Sequence, residues 1–150
     1  MELSQNPAQA DCILNGLSEG VVAFDNAGRI QMANPALLSL LGIDQLKEPT
    51  LTFLFSSNEQ LMEIAHTVLN GKVVVDVDVR HSATDHAGTS MRWLRVNSIS
   101  LFETDAPPPN AIITLTDVSD LKSAERQMFQ IEKMSAIGRL AASVAHEVGN

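Results

Sequence analysis

The residues best placed to do chemistry lie near the end of the chain. His146 is followed directly by Glu147 and, four positions on, by Asn150, within the run Ser135-Ala136-Ile137-Gly138-Arg139-Leu140-Ala141-Ala142-Ser143-Val144-Ala145-His146-Glu147-Val148-Gly149-Asn150. An unprotonated imidazole nitrogen is a nucleophile, and an adjacent carboxylate can orient or accept the proton on the other ring nitrogen. Asn150 stands one helical turn from His146 on the same face, where its amide can position a water. Other reactive residues are sparse. Cys12 is the single cysteine, which excludes an intrachain disulfide and a cysteine-based zinc site. His81, Asp85 and His86 fall in a polar stretch, 81–90, that reads as a long turn; loop histidines without fixed geometry are solvated, so no metal is expected.

A helix must carry His146. From Asp117 onward the pattern is helical and free of proline. Ile137, Ala141, Val144 and Val148 form one apolar seam, and His146 lies roughly 140 to 180° round the wheel from each of them, so it points away from whatever the seam packs on. Upstream, Leu121, Ala124, Met128 and Ile131 form another seam at the spacing of a two-stranded parallel coiled coil, which implies a homodimer. The second seam begins roughly opposite Met128, with Ile131, Met134 and Ile137 stepping by threes, so the two are out of phase.

The rest of the chain reads as mixed α and β. Residues 8–20 have helical spacing. Val21 to Asp25 and Arg29 to Ala33 form a hairpin about Asn26-Ala27-Gly28, with Gly28 supplying positive φ. Asn34-Pro35 opens a helix that stops at Gly42, and residues 43–56 are short turns. Ser57 and Gln60 form a capping box for a helix ending at Asn70-Gly71. Val73, Val75, Val77 and Val79 alternate with wetter residues in a strand over 73–80. Two more strands are expected at Met91 to Phe102 and Ala111 to Thr116, separated by a proline-rich loop over 103–110.

Ile13-Leu14-Asn15-Gly16-Leu17-Ser18-Glu19-Gly20-Val21-Val22-Ala23-Phe24-Asp25, Gly28-Arg29-Ile30, Asn34-Pro35-Ala36 and the closing Thr116-Asp117-Val118-Ser119 resemble the PAS family. The resemblance implies an α+β PAS fold over residues 8–118: a five-stranded antiparallel sheet with helices on one face, and Asp117 capping the outgoing helix. Residues 119–150 would be the signalling coiled coil and the truncated dimerisation helix. Such domains often hold a small molecule between sheet and helices, which makes Phe24, Leu38, Phe53, Phe55, Leu61, Val75 and Trp93 candidate pocket residues, otherwise plain core. Haem-binding members use a histidine on the helix before the central strands; His66 is on that helix, but roughly 140 to 160° from Leu61 and Val68, so a surface position is expected. Cys12 lies far from the reactive position of the flavin photosensors.

The run from Ser135 to Asn150 resembles the phosphoacceptor box of sensor histidine kinases. This second resemblance implies a two-component sensor kinase in which His146 takes the γ-phosphoryl group of ATP, Glu147 assists, and Asn150 positions water for dephosphorylation. The phosphate passes to a response regulator. No glycine-rich phosphate cradle is present, so ATP and Mg belong to the missing catalytic domain, no cofactor is expected in this segment, and the segment alone is inactive. The alternatives are a non-catalytic PAS ligand-binding or dimerisation module of a transcriptional regulator, and a haem-PAS gas sensor through His66.

Bulk composition narrows the setting. A net charge of −8, from 18 acidic and 10 basic side chains, repels nucleic acid and anionic membrane surfaces. Apolar runs fall far short of the ~20 residues of a membrane helix. The lone cysteine and the absence of a signal peptide after Met1 fit the cytoplasm.

Overall fold

The structure is a computed structural model that describes residues 18–101 and 109–149. The expected N-terminal helix, Cys12, Phe102 and most of the proline-rich loop lie outside the described residues, as does Asn150. The chain divides into two units, Met1–Asp117 and Val118–Asn150.

In the first unit, strands β1 (Gly20–Phe24), β2 (Ile30–Ala33), β3 (Val77–Asp85), β4 (Gly88–Ser100) and β5 (Ala111–Asp117) form one antiparallel sheet in the order β2-β1-β5-β4-β3. Helices α1 (Pro35–Leu41), α2 (Leu51–Leu54) and α3 (Glu59–Leu69) lie between β2 and β3 in sequence. Alternate strand residues, Val22 and Phe24, Val79, Leu94 and Val96, and Ile113 and Leu115, meet Leu37, Leu41, Leu51, Leu54, Leu61 and Val68 of the helices in one core. That burial, at ~25 cal/mol per Å² of apolar surface, is the main force holding the unit together.

Local chemistry sets the boundaries. The Asp25 carboxylate accepts from the backbone N–H groups of Ala27 and Arg29 at 3.0 and 2.9 Å, and Gly28 takes φ 82°, which closes the β1–β2 turn. Buried Asn34 caps α1: its Oδ1 accepts from Leu37 N at 3.1 Å and from Val21 N at 2.9 Å, and its Nδ2 donates to Glu19 O at 2.8 Å. One side chain thus starts the helix and ties it to β1. Gly42 ends α1 at φ 73°, where a Cβ would lie 2.9 Å from Thr84 N. Both the left-handed backbone and the contact with β3 require glycine.

Three boundaries differ from the sequence reading. The cap of α3 is Asn58, whose Oδ1 accepts from Leu61 N at 3.2 Å, one residue after Ser57. β3 starts at Val77, because Asp76 turns to φ 48° and breaks the valine alternation. Val73 and Val75 therefore stand outside at 60% and 68% exposure, while Val74 is buried and exchanges bonds with Ser98. Finally, 81–90 is no long turn: β3 continues to Asp85 and pairs with β4 from Gly88, with Thr84 and Thr89 hydroxyls 3.1 Å apart across the ladder.

The second unit is α4 (Ser119–Val148), a 30-residue helix with no buried residue. Its cap position falls on Val118, one residue later than the motif implies for Asp117.

Candidate functional site

The helix α4 carries the chemistry-bearing pair. Gly138 is the only glycine within it, and proline is absent, so the helix runs unbroken through residues 131–137, where the two seams change phase. At 1.5 Å per residue it spans about 45 Å. Its seam residues are bare: Met128 is 63% exposed, Ile131 65%, Val144 58% and Val148 80%. His146 and Glu147 are exposed in its last turn, and no described residue hydrogen-bonds to either side chain. His146 is thus open to a reactant on the side opposite the second seam, in the arrangement a nucleophilic imidazole with an acidic neighbour requires.

The seven candidate pocket residues of the first unit do not converge on one cavity. Phe24, Phe55 and Leu61 are fully buried core. Leu38 and Phe53 line two neighbouring surface clefts beside Gly42 and Ile43, of about 320 and 290 Å³. Val75 is exposed in the segment before β3, displaced by the turn at Asp76. Trp93 stands on the sheet face opposite buried Leu94, with the Arg80 guanidinium 5.6 Å from its ring centroid. His66 is exposed on α3, and His86 is exposed in the β3–β4 turn.

His81 is the residue the sequence reading misplaced. It is 2% exposed, in β3, with its Nε2 2.9 Å from Leu41 O and its Nδ1 3.0 Å from Asn58 Nδ2. A carbonyl only accepts, so Nε2 carries the proton and Nδ1 accepts from Asn58. Asn58 also donates to Arg80 O at 3.0 Å while capping α3. On the neighbouring strand Arg92, paired with His81 in register, donates from Nη1 to Ser39 O and Leu40 O at 2.8 and 3.2 Å. The last carbonyls of α1 are therefore held by two side chains of the β3–β4 hairpin, and a cation sits where the helix dipole favours one. The signal available in sequence was the spacing of His81 and Arg92 about the turn, which has meaning only once the hairpin is known. No group of three or more His, Cys, Asp or Glu side chains that could hold a metal occurs among the described residues.

This topology is the PAS fold, and residues 13–72 match the PAS domain family. The PAS domain of an HTR-like protein from Haloarcula marismortui superposes with a TM-score of 0.50 at 15% identity, covering 77% of this chain and 93% of that one. Two curated relatives carry the comparison through the second unit. The signal transduction histidine-protein kinase AtoS of Escherichia coli K12 is 26% identical over 142 residues, 93% of this chain and 23% of its own length. The sensor protein kinase FleS of Pseudomonas aeruginosa is 29% identical over 136 residues, 91% and 28% of the two. Across both units the sequence is thus similar to PAS-domain sensor histidine kinases. The chain spans about a quarter of the length of these curated relatives.

Proposed function

We propose that the chain is the sensing and phosphoaccepting part of a two-component histidine kinase, working in the cytoplasm as a homodimer joined through α4. The observation that carries this reading is the exposed His146–Glu147 pair on a helix whose apolar seams are bare among the described residues. A ring nitrogen of His146 attacks the γ-phosphorus of ATP, the bond from that phosphorus to the bridging oxygen breaks, and ADP leaves. Glu147 takes or orients the proton on the other ring nitrogen, which favours the phosphorylated imidazole. An aspartate carboxylate of a response regulator then attacks the same phosphorus and frees the histidine. Asn150 positions a water that attacks the phosphorus of the regulator's phosphoaspartate, releasing inorganic phosphate and the free carboxylate. ATP and Mg are held by a separate catalytic domain of the same kinase, and this segment works without a cofactor of its own.

The test is phosphorylation of the full kinase with γ-labelled ATP. Acid-labile, alkali-stable label is expected on the wild type and none on His146→Gln. Glu147→Gln is expected to slow labelling by roughly 10²-fold, the range of a lost general base. Undiminished label on His146→Gln sinks the reading.

A further inference from the structure

β3 is one of the two edge strands of the sheet, and one short length of its edge is uncovered among the described residues. In an antiparallel pair, alternate residues turn N–H and C=O toward the neighbouring strand or away from it. Two contacts show which residues of β3 turn away. The Arg80 carbonyl accepts from Asn58 Nδ2, and a Cβ on Gly42 would lie 2.9 and 3.1 Å from Thr84 N and O. Ser82, between them, has the same orientation. Its N–H and C=O open into the cleft of about 290 Å³, and no described residue hydrogen-bonds to either.

Across the cleft from Ser82 the lining is Leu41, Gly42, Ile43, Phe53 and Leu54 together with Ser56, whose hydroxyl donates to Phe53 O, and Ser57, and no charged side chain takes part. An open edge usually invites another strand. A strand needs a run of alternating partners, and here both neighbouring positions are closed, Arg80 by Asn58 and Thr84 by Gly42. What remains is one donor and one acceptor beside an apolar wall, the complement of a single amide edge. We propose that this cleft binds a small uncharged molecule that presents a primary carboxamide or lactam edge to Ser82 and an apolar body to Phe53 and Ile43. The apolar wall of Leu41, Ile43, Phe53 and Leu54 flanks the paired hydrogen bonds on one side, and the uncharged lining offers a carboxylate no cation. The wall residue Leu41 is the one whose carbonyl His81 holds, so an occupant would lean on a tie between α1 and β3.

The probe is benzamide, added at millimolar concentration to the isotopically labelled 150-residue chain and followed by amide correlation NMR. The expected result is a saturable downfield shift of the Ser82 amide with movement at Gly42, Ile43 and Ser56. N,N-dimethylbenzamide, which lacks the donor, and benzoate are expected to leave Ser82 in place. Ser82→Pro removes only an outward N–H, which an edge strand tolerates, and is expected to weaken binding about tenfold or more. No shift at Ser82, an equal shift with the dimethyl compound, or full affinity in Ser82→Pro would each overturn the proposal. If that variant does not fold, Ile43→Trp fills the cleft from its loop side: loss of the Ser82 shift supports the site and its persistence refutes it.

Discussion

The two units of this chain spend their apolar residues in opposite ways. From Gly20 to Asp117 the large aliphatic and aromatic side chains mostly meet one another, and Phe24, Leu37, Leu94 and Ile113 are fully buried; along α4, Met128, Ile131, Met134 and Leu140 are all more than 60% exposed. The first unit buries most of its hydrophobic pattern against itself, with Val75, Met91 and Ile99 among the exceptions. The second leaves a pattern whose burial is possible only against another surface, which is how a helix reads when its stability depends on assembly. A unit that buries its core against itself holds its own shape, whereas a bare helix takes its burial from a neighbour.

This contrast can be attacked from the core outward. Leu94→Ala removes a fully buried side chain of β4 and is expected to lower the stability of the PAS unit by about 2–5 kcal/mol, read by chemical denaturation, without altering association through α4. Asn58→Ala uncaps α3 and leaves His81 Nδ1 and Arg80 O without their donor; a loss of about 1–3 kcal/mol is expected in the same assay. Ile131→Asp has the smallest expected effect on the PAS unit, within about 0.5 kcal/mol, because no buried contact is removed. It should nonetheless weaken self-association, read by sedimentation equilibrium, by at least tenfold. An Ile131→Asp chain that melts early but associates normally would reverse the contrast.

Legibility in the sequence tracked the range of the interactions. Asn34-Pro35 and Gly42 mark the ends of α1 in sequence because a cap and a left-handed stop are local events. The seams of α4 and the position of His146 relative to them come from helical periodicity alone. β3 was harder. Nothing in Val73-Val74-Val75-Asp76-Val77 announces that Asp76 turns to φ 48°, and a one-residue change of phase moves every side chain to the other face. That is why Val75 looked like pocket and lies outside. His81 was hidden for a different reason: its partners, Leu41 and Asn58, are 40 and 23 residues away, so a polar stretch read as turn contained a buried strand residue. The cleft at Ser82 was equally invisible, since it depends on which backbone groups of an edge strand face outward.

The clasp on the end of α1 has a consequence for how this domain breathes. Ser39, Leu40 and Leu41 give their carbonyls to Arg92 and His81, and Gly42 lies against Thr84, so the helix end cannot fray while the hairpin stays in place. Opening there is cooperative. α1 and the β3–β4 hairpin should exchange their amide hydrogens as one block.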